Sequence, residues 1–215
     1  MLAKDIMSGQ VITASSDTPI GEAKALLKQH KIRRLVVVDH GKLVGLVTED
    51  RLDRVSHPAT APALWQLMWL MSRTTLKDVM VTDVVTVGPE ATVEQVVARA
   101  QSRGVGSVIV VEYGKVMGIV TTNDIFYKVV NPTLGIGETG TRLVVPRCER
   151  GKDVEQVIGC FNRAGWAIKV VWFVTSPATN EKELTVQLDE EDPSRIAKVM
   201  DELRSLGYAP SIRQR

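Results

Sequence analysis

The feature that most constrains this chain is that it repeats itself. Residues 4–52 align with residues 77–125 at a constant offset of 73, without a gap, and 13 of the 49 aligned positions are identical. The identities include Lys4/Lys77, Asp5/Asp78, Met7/Met80, Val11/Val84, Thr13/Thr86, Gly41/Gly114, Gly45/Gly118 and Thr48/Thr121. Many other pairs exchange one aliphatic residue for another, as in Leu35/Val108 and Leu46/Ile119. Self-similarity of this kind means one supersecondary unit built twice.

Each copy reads in the same order. A short extended segment (Val11 to Ala14; Val84 to Val87) leads through a turn into a helix. Ile20, Ala23, Leu26 and Leu27 in the first copy, and Val93, Val96, Val97 and Ala100 in the second, fall at helical spacing. Two β-branched runs follow, joined around His40-Gly41-Lys42 and Tyr113-Gly114-Lys115, which is tight-hairpin chemistry. A last helix starts beyond Thr48 and Thr121, whose hydroxyls can cap it. The unit is βαββα.

Composition removes other classes. With 27 Lys+Arg against 25 Asp+Glu the chain carries +2, too little to make nucleic acid or an anionic membrane its main partner. Cys148 and Cys160 cannot form a multi-bridge framework, and with His30, His40 and His57 they show no zinc spacing, so no metal is expected. The first 14 residues carry Lys4 and Asp5 and lack a signal-peptide core. The apolar run from Leu64 to Met71 is far too short to span a bilayer. A cytoplasmic location, with no membrane partner, is the expectation. No Ser/His/Asp, Cys/His or metal constellation points to an enzyme.

The two series KD-x-M, V-x-T, helix, VVVDHGKLVGLVTEDRL and its copy SVIVVEYGKVMGIVTTNDI resemble a tandem pair of CBS domains over residues 1 to about 130. The resemblance implies sheets packed into one module with clefts between the copies. It also implies an adenosine-containing ligand such as AMP, ADP, ATP or S-adenosylmethionine, and a homodimer formed through the module. Thr121-Thr122-Asn123-Asp124 matches the family's ligand motif, so Thr121 and Asp124 are the leading candidates, with the carboxylate accepting from ribose hydroxyls. Thr-x-x-Asp is equally a helix cap with an acidic first turn. The first copy departs from the motif. It reads Thr48-Glu49-Asp50-Arg51, with Arg51 in the place of the aspartate and Asp50 one residue early. A basic residue before the central strand contacts phosphate in some relatives. Arg34 holds that place in the first copy and Ser107 in the second. The half-motifs are thus divided between the copies, which suggests unequal clefts. Asp5, Val11 and Val84 are weaker candidates for the adenine wall.

The copies, 1–56 and 77–132, are separated by a long segment, 57–76, in which Pro62 opens a run (Leu64, Trp65, Leu67, Met68, Trp69, Leu70, Met71) apolar nearly all round. An inserted helix of this kind resembles the acetoin-utilisation branch of CBS proteins. It fits the core of the module or a dimer contact. The glycine-rich stretch 133–140 marks a boundary. Beyond it, 141–215 predicts strand 141–148, helix 152–164, strands 166–175 and 183–189, helix 193–206 and strand 208–213. This is a βαββαβ, ferredoxin-like layout. Gly151 at the first turn and Leu203-x-x-x-Gly207-Tyr208 resemble an ACT domain, a module that often binds amino acids. Here the loop is Glu149-Arg150-Gly151-Lys152 without its usual proline, and Gly151 is equally read as a turn glycine with positive φ. The fold class expected is α/β (α+β), a CBS pair followed by an ACT-type domain. The function expected is a non-catalytic regulator that binds an adenine nucleotide or S-adenosylmethionine and acts on a separate enzyme. The alternatives are an assembly protein with degenerate clefts and an amino-acid sensor working through 141–215.

Overall fold

A computed structural model describes residues 1–56, 73–177 and 179–213. His57 and the apolar run from Pro62 to Met71 lie outside the described residues. The chain divides into two compact units, Met1–Ile125 and Phe126–Arg215.

In the first unit each copy begins with a helical turn that periodicity does not predict. Copy one comprises α1 (Ala3–Ile6), β1 (Thr13–Ala14), α2 (Ile20–His30), β2 (Arg34–Asp39), β3 (Lys42–Thr48) and α3 (Glu49–Ser56). Copy two comprises α4 (Leu76–Val79), β4 (Thr86–Val87), α5 (Val93–Ser102), β5 (Ser107–Glu112), β6 (Lys115–Thr121) and α6 (Thr122–Ile125). Each forms a three-stranded sheet, β1-β2-β3 or β4-β5-β6, with the first pair parallel and the second antiparallel. Both hairpins turn through two residues of positive φ, His40-Gly41 and Tyr113-Gly114, which matches the right-handed twist of the strands. Ile20, Ala23 and Leu27 are buried, as their spacing requires.

The opening turns are exchanged between the copies. Ala3 N–H donates to Ala91 O (2.7 Å), and Leu76 N–H, 73 residues on, donates to Thr18 O (2.9 Å). Ser8 bridges Ile119 of β6, while Val81 bridges Leu46 of β3. Leu76 and Val79 therefore join the core of copy one, beside Ile20, Leu35, Val47 and Leu52. Neither copy closes its own core. The contact is tight because β3 and β6 each carry a glycine under the exchanged methionine. A Cβ on Gly118 would lie 2.7 Å from Met7 Cγ, and one on Gly45 would lie 2.9 Å from Met80 Cγ. Both sulfurs are closer still.

The second unit opens with a π-helical turn (Phe126–Val130) and α7 (Asn131–Leu134). There follow β7 (Thr141–Pro146), α8 (Gly151–Arg163), β8 (Ile168–Thr175), β9 (Lys182–Leu188), α9 (Pro193–Ser205) and β10 (Ser211–Ile212). The sheet order is β10-β7-β9-β8 and every neighbouring pair is antiparallel. Leu143, Val145, Leu184, Val186 and Leu188 pack against Val157, Phe161, Ile196, Val199 and Leu203 of the helices. On the opposite face Arg142 donates to Leu134 O (2.8 Å) and Gln187 donates to Thr139 O (3.0 Å), so the glycine-rich segment is fastened to the sheet. The last strand is shorter than its pattern, 208–213, predicts. Tyr208 is diverted from the sheet because its N–H closes α9 on Leu203 O and its hydroxyl donates to Gln156 Oε1 (2.7 Å).

Gly118→Ala is expected to lower stability by about 1–3 kcal/mol through overpacking against Met7. In a Met7→Ala background the same change should cost markedly less, as read from urea denaturation midpoints. Equal costs in both backgrounds would remove the packing explanation.

Candidate functional site

The cleft follows from the exchange. The segment after α1 lies along β6 of copy two while remaining joined to β1 of copy one, so both copies contribute walls. A cavity of about 650 Å³ is lined by Ser8, Gln10, Val11, Ile12, Lys31, Ile32, Arg33, Arg34 and Val36 from the first copy. Ile119, Thr121, Asn123 and Asp124 come from the second. This is the size range of small-molecule sites. Arg34 and the Thr121/Asp124 pair, divided between copies in the sequence, thus meet in one cavity. Arg34 reaches across to copy two, where a Cβ on Gly106 would lie 2.6 Å from its Nη2.

Asp124 is 8% exposed. Thr121 donates to Oδ2 from its backbone N–H (2.8 Å) and from its hydroxyl (2.6 Å), and Ser8 Oγ donates to Oδ1 at 3.2 Å. The cap reading of Thr-x-x-Asp is correct as far as it goes, since Asp124 N–H donates back to Thr121 Oγ1 (3.3 Å). These bonds fix the orientation of the carboxylate at the cavity wall, and an ionised carboxylate is an acceptor that suits the hydroxyls of a ligand. Ser8 was not foreseen; only the exchange brings a residue before β1 beside a residue after β6.

The cations are the second element. Lys31, Arg33 and Arg34 follow α2, and among the described residues none of their side chains has a hydrogen-bond or ion-pair partner. At the corresponding positions copy two has Gly104, Gly106 and Ser107. Lys31 caps α2 in the left-handed conformation (φ 52°, ψ 40°), and Gly104 adopts the same conformation (φ 61°). Holding a lysine there costs on the order of 1 kcal/mol relative to glycine.

At the pseudo-symmetric position the corresponding residues make different contacts. Arg51, in the place of Asp124, turns its Nε to Val79 O, while its N–H meets Thr48 Oγ1 at 3.4 Å. Asp83, counterpart of Gln10, is paired with Arg103. Thr48 and Asp50 instead line an adjoining hollow of about 460 Å³ with Arg33, Arg34, Glu49 and Asp53. Two candidates for the adenine wall do not belong to the cavity. Asp5 spends its carboxylate on Leu2 N–H (2.7 Å), capping its own turn, and Val84 is partly buried in the matching segment of copy two. Val11 does line it.

In the second unit Gly151 borders a hollow of about 330 Å³ with Glu149, Arg150, Val154, Phe173, Val174, Thr175 and Lys182. Gly151 is the first helical residue of α8, so the positive φ expected of it is not found. The turn is shaped instead by Asp153, whose carboxylate accepts from the Arg150 and Glu149 N–H groups (2.8 and 3.1 Å). The Arg150 N–H bond holds its pKa below the ordinary carboxylate range. Burial pushes the Cys148 thiol up to about 11 and raises that of Cys160, so neither is a ready nucleophile. Among the described residues no cluster of His, Cys, Asp and Glu could hold a metal ion, and no helix is long and apolar enough to cross a membrane.

The model of the CBS domain matches residues 3–57 and 76–131, and the chain belongs to the CBS-domain family. Such pairs are in general regulatory, non-catalytic modules. An L-aspartate semialdehyde sulfurtransferase of Methanocaldococcus jannaschii is 36% identical over 126 residues, 58% of this chain and 22% of that enzyme. The chain thus spans about a quarter of the length of the first curated relatives it matches. A candidate acetoin utilization protein (AcuB) from Vibrio cholerae is similar in structure, with TM-score 0.52, 27% identity and coverage of 64% of this chain and 96% of that one. The CBS pair of protein MJ0100, solved with 5-methylthioadenosine and S-adenosyl-L-methionine, matches with TM-score 0.48 and 35% identity over 58% of this chain and 92% of that one.

Arg51→Ala is expected to destabilise the first unit by about 1–2 kcal/mol, because the Val79 carbonyl loses a charged donor in a partly buried position. Urea unfolding measures this. An unchanged midpoint would mean that the Arg51–Val79 contact contributes nothing to stability.

Proposed function

We propose that this protein is a regulatory sensor that binds an adenosine-containing ligand between its two CBS copies. The observation that carries the reading is the convergence, in one cavity of about 650 Å³, of Arg34 from copy one with Thr121 and Asp124 from copy two. Val11, Ile12, Val36 and Ile119 supply an apolar wall suited to a purine. The Asp124 carboxylate, oriented by Thr121 and Ser8, suits a ribose diol. Arg34, on the wall supplied by copy one, is a cation suited to a phosphate or carboxylate on the same ligand. Because the ligand would touch both copies, it binds best where their spacing matches its length, and a ligand with different affinity for two spacings shifts their populations.

In this proposal the sensor works as a homodimer in the cytoplasm on an enzyme carried by another chain. The likeness to the Vibrio cholerae protein supports a place among the acetoin-utilisation-type CBS proteins. We read residues 141–215 as a ferredoxin-like, ACT-type domain, supported by the βαββαβ order and the β10-β7-β9-β8 sheet. The hollow at Gly151 is where an amino acid would bind it. Cavity chemistry favours the adenosine ligand over a purely structural role, since a degenerate cleft has no use for partnerless cations.

Calorimetric titration with AMP, ADP, ATP and S-adenosylmethionine tests the reading. At least one should bind, and Asp124→Ala should weaken it by about tenfold or more, the loss of one or two charged hydrogen bonds. If none of them binds the folded wild type, the sensor reading fails and the assembly role gains.

A further inference from the structure

We infer that the cavity takes a nucleotide carrying a chain of two or three phosphates, and that Lys31 is the residue that selects it. The inference rests on the adenosine-ligand reading and narrows it. Its starting point is a conformational outlier. The αL position that ends α2 aligns with Gly104 in copy two, one residue beyond the Arg103 cap of α5, and glycine reaches positive φ without strain. Copy one places a lysine on the same backbone, exposed and among the residues that line the cavity. A strained residue retained at a cavity is a pointer to function.

Charge gives the ligand class. Three cations, Lys31, Arg33 and Arg34, line the cavity against one carboxylate, Asp124, which is already engaged by Thr121 and Ser8. Copy two, with Gly104, Gly106 and Ser107 at the three places, has none of these charges. Arg33 and Arg34 also border the hollow that holds Glu49, Asp50 and Asp53, so part of their charge is balanced from that side. Lys31 does not border that hollow. It is the cation left to the cleft, on the segment next to Arg34, where the tail of a ribose-anchored nucleotide would run. A sulfonium ligand would bring a positive charge to the same three cations and is disfavoured by the same geometry. A monophosphate would satisfy Arg34 alone; a longer chain reaches Lys31.

The experiment is calorimetry on the full chain with AMP, ADP, ATP, S-adenosylmethionine and inorganic tripolyphosphate, for wild type and Lys31→Gly. Thermal melting without ligand accompanies it. Affinity is expected to rise from AMP to ATP, with S-adenosylmethionine weaker than ATP. Lys31→Gly is expected to raise the melting temperature by relieving the left-handed strain, to weaken ATP by about tenfold, and to leave AMP within about twofold. Opposite movements of stability and affinity are what a merely structural lysine would not give. Equal affinities for AMP and ATP, tighter binding of S-adenosylmethionine than of ATP, or a variant that loses AMP and ATP alike would overturn the inference. Failure of the underlying reading has its own signature. Neither AMP nor ATP then binds while tripolyphosphate does, which overturns the nucleotide assignment at its nucleoside half and leaves only an anion subsite.

Discussion

The exchange of opening turns between the two copies is the constraint on which the rest of the first unit depends. Met7 sits over Gly118 and Met80 over Gly45, and the paired bridges from Ser8 to Ile119 and from Val81 to Leu46 hold those contacts in register. A side chain larger than hydrogen at either glycine would collide with the exchanged methionine, which would have to repack for the copies to keep this contact. The sheets are short, three strands each, and the first strand of each is two residues long. With so short a first strand each sheet is little more than a two-stranded hairpin, which needs further packing to be stable. Burying Leu76 and Val79 in the other copy's core makes one cooperative module from two incomplete ones.

The same exchange creates the cavity and makes it unequal to its pseudo-symmetric counterpart. Two copies related by an offset of 73 generate two equivalent positions, and the differences between the copies decide what becomes of each. One position receives Ser8, Lys31, Arg33, Arg34, Thr121 and Asp124. The other receives Val81, Gly104, Gly106, Ser107, Thr48 and Arg51, and Arg51 is tied to the Val79 carbonyl. Duplication supplied the scaffold, and divergence concentrated charge on one side of it. A ligand seated there would bridge the copies, so its binding energy would act directly on their spacing.

Much of this was legible in the residues, and the limits have physical causes. The repeat, the hairpins at Gly41 and Gly114, the helices with Ile20 and Val93 on their buried faces, and the Thr121/Asp124 pair were all readable because each is a local pattern. Local patterns do not say which copy's turn packs on which sheet. For that reason Ser8 was not legible, and the division of Arg34 and Asp124 between the copies pointed to unequal clefts without showing that the two residues meet in one. Asp5 was a candidate because it lies near the first strand, yet it and its counterpart Asp78 are helix-turn caps: Thr75 N–H donates to Asp78 at 2.8 Å as Leu2 N–H does to Asp5. Lys31 resembled any solvated lysine at a helix end. Only its αL backbone, set beside Gly104, separates it from the others, and pairing the copies position by position was the signal that could have found it. In the C-terminal unit, Tyr208 illustrates a tertiary override: a β-type residue was drawn to Gln156 and the end of α9 instead of the sheet.

The proposal as a whole requires that two copies of one fold, diverged in sequence, make a single competent site. Equilibrium dialysis of the full chain against a saturating labelled adenine nucleotide counts the sites without assuming where they are. One ligand bound per chain, released by substitution at either Arg34 or Asp124, is the result the account predicts. Two ligands per chain, with one retained after those substitutions, would contradict it.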